Sequence, residues 1–568
     1  MESSEEVPRI GVFVCHCGIN IGGVVDVPEV VEYSKTLPGV AYAEGNLYTC
    51  SSEGISKIKE GIAKHNLNRV IVASCTPRTH EPLFRAACEE AGVNRYLFEM
   101  ANIRDQCSWA HMHEPEKATE KAKDLIRMAA AKARLLKPLE EPEIDVTPSA
   151  LVIGGGISGM TSALCLANQG FKVYIVEKEP KLGGMLRNLN KLYPNMEDAS
   201  EGLSQIAKRM KSNKKIKVLT SAAVKQVKGF IGNFEVTVEK ANGKAMNFEV
   251  GTIIVATGAT VFEPVGMYGY GEHENVITQL QLEQLLKKGQ LKKPKKVVMI
   301  QCVGAREEKG RTYCSRICCT TALKNAMLIK EKCPDTDIYI LFRDLQAYGT
   351  HYEDLHRMAQ GKGIKFIKYV LEKPPQVIRG ENGRLMVNVC HALLDEQVKI
   401  SSDLVVLSTP LIQQESAKEL SQMLKVPLGP DGFFFEAHVK LRPIDFATDG
   451  IYVCGTAHSP KDIAESLSQA LGVASRAAIP MAVKRLKVEA ITAVVDENLC
   501  SGCGTCVKLC PYNAIQKDEK GIARVTSVVC KGCGTCAASC PERAITMQHF
   551  TDEQIMAQAL AALGRCVA

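Results

Sequence analysis

Eight cysteines near the end of the chain repeat one spacing twice. "CSGCGTCVKLCP" begins at Cys500 and "CKGCGTCAASCP" at Cys530; both read C-x2-C-x2-C-x3-C-P. Each is followed by a similar apolar return, Asn513-Ala514-Ile515 and Arg543-Ala544-Ile545. Short gaps wrap three thiolates round one iron–sulfide cubane, and the fourth reaches the neighbouring cubane. The expected sets are Cys500, Cys503, Cys506 and Cys540 for one 4Fe–4S cluster, and Cys530, Cys533, Cys536 and Cys510 for the other. A zinc site closes with four ligands and leaves the doubled pattern and its prolines unexplained.

A second chemistry is written in glycines. "ALVIGGGISGMTSALCLANQGFKVYIVEKEPKLGG" starts at Ala150 and gives an apolar strand, Gly154-x-Gly156-x-x-Gly159, a helix, and a second strand ending at Glu177. Gly154 permits the tight turn, Gly156 admits a pyrophosphate to the backbone, and Gly159 lets helix and strand pack closely. The helix N-terminus faces the phosphates. Glu177, with Lys178 beside it, is expected at the adenosine ribose. The pair Gly183-Gly184 resembles the extended fingerprint of two-dinucleotide flavoproteins and favours FAD; NAD without flavin is the alternative. "TIIVATGA", with Gly258, resembles the second flavin-side strand of that family, and "GIYVCGTAHSPKDIAESLSQALGVA" from Gly450 resembles its final FAD element. There a strand ends at Gly455 and a helix N-terminus near Lys461–Ala464 can face the flavin ring. That family has Asp after this glycine. Here the position is Thr456, and Asp462 is the expected substitute for the ribityl contact.

"QCVGAREEKGRTYCSRICC", Gln301 to Cys319, follows an apolar run, Val297–Ile300. Thioredoxin-reductase-like proteins place a second GxGxxG there for NADPH. No third glycine follows here at helix-opening spacing; Cys302, Cys314, Cys318 and Cys319 stand in its place. Three chemistries compete: a 4Fe–4S cluster on all four thiols, a CxxxC redox dithiol, or inert core thiols. The cluster makes physical sense as an electron exit, in which a one-electron centre replaces a two-electron hydride donor beside the flavin. Near the start, Cys15 and Cys17 lie in "VCHCG", Cys50 in "LYTCSSEG" and Cys75 at the end of "VIVASC". Strand C-termini of an α/β unit converge at one edge, so these four are expected to hold a further cluster. Cys88, Cys107, Cys165, Cys333, Cys390, Cys454 and Cys566 lack partners at useful spacing and read as packing residues, with Cys107 as the alternative cluster ligand.

These groups need an α/β scaffold to position them. Strand-like runs at Ile10–Val14 and Arg69–Ala73 alternate with helical patterns at Val27–Thr36, Gly54–His65 and Glu81–Ala91. An Ala- and Lys-rich helix, Glu116–Leu136, closes that unit, and Pro138, Pro142 and Pro148 mark a linker. The expected division is an N-terminal α/β iron–sulfur domain at 1–140, a flavin domain at 150–488, a double-cluster domain at 489–550, and a short amphipathic tail at 551–568 for docking a partner. The 23 cysteines among 568 residues fall into metal-ligand groups rather than the disulfide framework of a small secreted domain. The start "MESSEEVPRI" lacks a signal-peptide pattern, and no run of about 20 apolar residues could span a bilayer. The expectation is a soluble, cytoplasmic protein. Net charge is +7 from 70 basic and 63 acidic residues, and aromatic content is 5%. No nucleic-acid module is visible.

Taken together, "CHCG", the flavin fingerprint, the C-x11-C-x3-CC element, "GTAHSPKDI" and the terminal repeat closely resemble the A-subunit family of heterodisulfide reductase over nearly the whole length. The resemblance implies a thioredoxin-reductase-like FAD fold with Rossmann-type sheets, a bacterial-type double 4Fe–4S ferredoxin domain, four clusters in all, and flavin-based electron bifurcation. A two-electron donor would feed the flavin, one electron leaving to a high-potential acceptor such as a heterodisulfide and one to ferredoxin. It places Lys324 near flavin N5 as the catalytic residue; an exposed helix lysine is the alternative. It also implies a multi-subunit complex with heterodisulfide reductase B- and C-like subunits, a hydrogenase- or formate-dehydrogenase-linked input subunit, and a dimeric core. Long forms of the family carry an inserted ferredoxin module in the flavin domain; residues 185–301 contain no cysteine, so that module is absent. Related subunits serve benzoyl-CoA reductase-type and sulfur-metabolism complexes as electron relays.

Overall fold

The run from Ile10 to Cys15 is apolar without alternation, as a strand covered on both faces requires. In the computed structural model, which describes residues 7–380 and 384–564, it is the strand Ile10–Cys15, buried throughout. It lies between the strands Val40–Asn46 and Arg69–Ser74, with Phe98–Asn102 beyond the latter, and all four run parallel. The helices Val27–Lys35, Ser52–His65, Pro77–Glu90 and Pro115–Ala133 connect and cover them. The two outer strands escaped the sequence reading because they are edge strands with half-exposed, mixed sequences.

The chain forms two compact units. One gathers the described parts of residues 1–143 and 487–568; the other spans 144–486. In the first, the double-cluster segment is built from two small antiparallel ladders, Ala493–Val495 with Ile545–Met547 and Ile515–Lys517 with Ala523–Val525. The helix Asp552–Ala562, in the segment expected to dock a partner, packs against Pro115–Ala133. Its buried Gln554, Ala557 and Ala561 face that helix, whose own inner side is alanine-rich. Arg127 Nε donates to the Ala561 carbonyl at 2.7 Å and Gln554 Nε2 to Leu135 at 2.9 Å. Small side chains on both helices allow this approach, so the inner face is used within the chain. Cys566 lies outside the described residues.

The second unit holds two five-stranded parallel sheets. One runs Ile216–Leu219, Lys172–Val176, Ser149–Ile153, Thr252–Val255, Ile451–Val453. The other runs Val276–Thr278, Leu404–Leu407, Lys296–Ile300, Asp337–Phe342, Lys365–Lys368. Each sheet is accompanied by a three-stranded antiparallel sheet, one over 222–250 and one over 376–402. The central strands are uniformly apolar and buried, and the loops at their C-terminal ends carry the glycines and cysteines singled out above.

Candidate flavin and iron–sulfur sites

The strand Ser149–Ile153 turns at Gly154 and enters the helix Ile157–Asn168, whose N-cap is Gly156. Gly154 has φ +110°, and a side chain there would strike the Ala256 carbonyl. At Gly159 a side chain would collide with the carbonyl of Gly154, so this glycine sets the close helix–strand approach. At Gly156 a side chain would point into open space. That space is part of a cavity of about 630 Å³, in the range of cofactor sites. Gly154, Gly156, Glu177, Lys178, Gly183, Gly184, Gly258 and Asp462 all line it. Gly455 does not, but its neighbours Cys454 and Thr456 do. Half-buried Thr257, also in the wall, has a buried hydroxyl without a protein partner, as a site built to receive a polar ligand would leave. The residues present therefore fit FAD.

Two expected contacts come out differently in detail. Glu177 accepts the Gly155 N–H at 2.6 Å and the Glu179 N–H at 2.8 Å, so the carboxylate also fixes the glycine turn. Asp462 is the N-cap of the helix Ile463–Val483: one oxygen accepts the Glu465 N–H at 2.8 Å and the other the Tyr352 hydroxyl. Its carboxylate therefore caps this helix while lining the cavity. Lys178 reaches Gln414 at 3.2 Å.

The turn after Lys296–Ile300 brings Cys302, Cys314, Cys318 and Cys319 together. Burial pushes the Cys318 thiol well above its usual range, and Cys319, Cys302 and Cys314 push it further. Burial likewise lifts Cys319 to about 12. Such thiols stay protonated unless a metal takes the proton's place. The Arg316 N–H points at Cys314 Sγ, 3.3 Å. Gln301, fully buried and next to Cys302, has a side-chain amide without a partner, as does the hydroxyl of Thr409, whose carbonyl faces Cys318. Four thiols with spare buried donors around them fit a sulfide-bearing cluster. Cys318 also lines the flavin cavity, and the helix that begins there, Cys318–Lys332, carries Lys324 into the same wall. Lys324 is 2% exposed, forms a close ion pair with Glu283, and donates to the Lys191 carbonyl at 2.8 Å. Lys330 and Lys332 bond the carbonyls of Pro334 and Leu286 and lie outside the cavity wall.

In the first unit, Cys15, Cys17, Cys50 and Cys75 meet at the C-terminal edge of the parallel sheet. Burial raises the Cys50 and Cys75 thiols; Cys15 and Cys17 add to the first, Cys17 and Cys50 to the second. The N–H groups of Cys17 and Thr49 point at Cys15 Sγ, 3.3 and 3.4 Å. Asn46 and Thr49, both buried, have side chains without partners, again a donor-rich setting that fits a cluster. Cys107 is fully buried in the hydrophobic core, and its charged neighbours are Lys121 and Asp124 rather than the four thiols. In the double-cluster segment one small cavity is lined by Cys500, Cys503, Cys506 and Cys540, and another by Cys510, Cys530, Cys533 and Cys536. These are the two crossed sets expected from spacing. Hydrogen bonds from the Ala514 and Ala544 N–H groups reach Cys510 and Cys540. Sequence reasoning missed Tyr193, Glu283, Cys454 and Lys461, all in the flavin cavity wall. Cys454 and Lys461 lay within a quoted motif, Cys454 being read there as a packing residue; Tyr193 and Glu283 come from elements whose packing spacing does not reveal.

Residues 148–304 match the family described as pyridine nucleotide-disulphide oxidoreductase, and residues 493–547 match the 4Fe-4S dicluster domain. These matches indicate FAD and 4Fe–4S clusters. The chain is 42% identical to the A subunit of the H(2):CoB-CoM heterodisulfide,ferredoxin reductase of Methanothermobacter thermautotrophicus, over 99% of this chain and 98% of that protein. It is 40% identical to the iron-sulfur A subunit of the CoB--CoM heterodisulfide reductase of Methanocaldococcus jannaschii, over 97% and 98%. The first alignment runs over 652 positions, more than the 568 residues here, so that relative has residues this chain lacks. Among solved structures, a Lactococcus lactis thioredoxin reductase is similar at 18% identity and TM-score 0.43, covering 60% of this chain and 99% of that one. Among the described residues no helix is long and apolar enough to cross a membrane. Matched from end to end by such relatives, the chain belongs to the A-subunit family of heterodisulfide reductase, FAD- and iron–sulfur-dependent oxidoreductases.

Proposed function

We propose that this chain is the electron-splitting subunit of a heterodisulfide-reductase-type complex. An electron pair enters at the flavin cavity and leaves one electron at a time, toward a high-potential acceptor such as a heterodisulfide and toward ferredoxin. The observation that carries this reading is Cys318, which belongs both to the thiol quartet and to the flavin cavity wall. Bound there, FAD supplies two-electron chemistry and a 4Fe–4S cluster one-electron chemistry. The chain's own residues fix the exchange. The glycine turn and Glu177 seat the dinucleotide, the helix Cys318–Lys332 ties thiols and cavity into one rigid element, and Lys324 with Glu283 forms a buried polar pair in the wall. We assign the N-terminal quartet Cys15, Cys17, Cys50 and Cys75 a fourth cluster. The names of the relatives supply the partner class: subunits that bring electrons in from hydrogen or formate, and subunits that reduce a heterodisulfide.

A redox titration of the anaerobically purified protein tests this. The expected result is inverted one-electron steps at the flavin, the second electron leaving with far more driving force than the first. Ordered, well-separated steps would make the chain a simple relay and overturn the splitting function.

A further inference from the structure

Lys461 has no role in the function so far, yet it is one of the few buried lysines, 8% exposed in the flavin cavity wall. Its ammonium is held by three neutral oxygens: the Gly455 carbonyl at 3.0 Å, the Ser459 carbonyl at 2.9 Å and the Ser459 hydroxyl at 2.9 Å. None of the three is a carboxylate. The nearby acids are engaged elsewhere, Glu465 with Arg316 and Glu436 with His458. The loop is braced from behind as well. Gly455 N–H donates to Gln469 Oε1 at 2.8 Å, so the Gln469 amide must donate to His458 Nδ1 at 2.9 Å. His458 then carries its proton on Nε2 and donates it to Glu436 at 2.8 Å. This chain holds His458 neutral, and burial together with Lys461 lowers its pKa. Lys461 is therefore a rigid cation without an ion-pair partner among the described residues, just before the helix Ile463–Val483, whose N-terminus is capped by the Asp462 carboxylate. Lys324, by contrast, is neutralised by Glu283.

A buried cation with no paired anion is costly, and a flavin supplies the missing charge. On gaining two electrons and one proton the ring carries one net negative charge. We propose that Lys461 is a positioning residue of the flavin cavity, a fixed ammonium that offsets the charge of the reduced flavin and raises its potential. This rests on the flavin reading of the cavity. Burial lowers the Lys461 pKa to about 8, so the offset holds below that pH and fades above it. The charged or titratable groups around it are Glu465, Arg316, Cys454, Glu436 and His458, with Asp431 acting on His458 and Asp462, bonded to Tyr352, next to Lys461 in the chain.

The test is the flavin midpoint potential of the anaerobic holoprotein, measured against pH on both sides of about 8. Wild type should show an inflection there. Lys461→Met should lower the potential below that pH, with the gap closing above it, and should lose the inflection. Lys461→Arg should keep the wild-type potential at low pH and also lose the inflection. Ser459→Ala, which removes one of the three bonds, should move the inflection and decides the matter should Lys461→Met fail to fold. An inflection unchanged in Lys461→Arg, or an unchanged potential in Lys461→Met with FAD bound, overturns the proposal. A wild-type protein that purifies without FAD overturns the flavin reading itself.

Discussion

Glu283 and Lys324 bury opposite charges at 1% and 2% exposure, and each depends on the other. Burial alone lowers the Lys324 pKa and Glu283 raises it again. Removing one partner of a buried pair costs about 3–5 kcal/mol, because the other is left uncompensated. Glu283→Gln should therefore destabilise the flavin unit by about that much, and Glu283→Gln with Lys324→Met by less than the sum of the two, as read by chemical denaturation. Lys324→Ala should keep FAD and the clusters yet reduce ferredoxin turnover more than turnover of the high-potential acceptor; an equal fall in both would make Lys324 a purely structural lysine. Another buried charge question lies in the first unit. His549 Nε2 donates to the Tyr96 carbonyl at 3.1 Å, its Nδ1 is buried without a partner, and Arg85 and Lys132 stand nearby. Burial lowers its pKa to about 4, against about 6.5 for a free histidine. The stability it contributes is full above about 6.5 and is lost as pH falls toward 4, on the order of 3 kcal/mol. His549→Phe should flatten the stability of the protein over that acid range; an unchanged acid profile would show that His549 is not the responsible group.

The helix Cys318–Lys332 is the element on which the site depends. It opens with two ligating candidates and, one and a half turns on, presents Lys324 to the same cavity. The thiol quartet was legible in the sequence, because Cys302, Cys314, Cys318 and Cys319 follow an apolar strand at the position of a dinucleotide turn; Lys324 came only from the family resemblance. The two crossed quartets of the double-cluster segment were equally legible, since ligand spacing in a short repeat is local. The capping role of Asp462 was not foreseen, although Asp-x-x-Glu is the signature of a capping box. The closing helix Asp552–Ala562 was legible as an amphipathic segment, but not its place in the fold, because an apolar helix face announces burial without saying against what. It meets Pro115–Ala133, more than 400 residues earlier, a pairing no local pattern encodes. Deleting residues 551–568 should lower the melting temperature of the chain by exposing the alanine-rich face of Pro115–Ala133, while leaving iron in the double-cluster segment; an unchanged melt would mean the helix contributes nothing to that unit.

At the scale of the whole molecule, sixteen of the cysteines fall into four groups of four, and each group is gathered by the fold at a strand end or in a repeat. The flavin cavity touches one of them, through Cys318. The central claim is that this quartet holds a cluster where a nucleotide-dependent reductase would hold its second dinucleotide. Iron and flavin counted together on anaerobically purified protein test it most directly, with wild type and Cys318→Ala side by side. Four cubanes of four irons predict about sixteen irons per FAD in wild type and about twelve in Cys318→Ala, with the signals of the double-cluster segment intact. Equal iron and equal electron paramagnetic resonance spin counts in the two proteins would contradict the claim, and wild-type iron near eight would mean that both the central and the N-terminal quartets are empty.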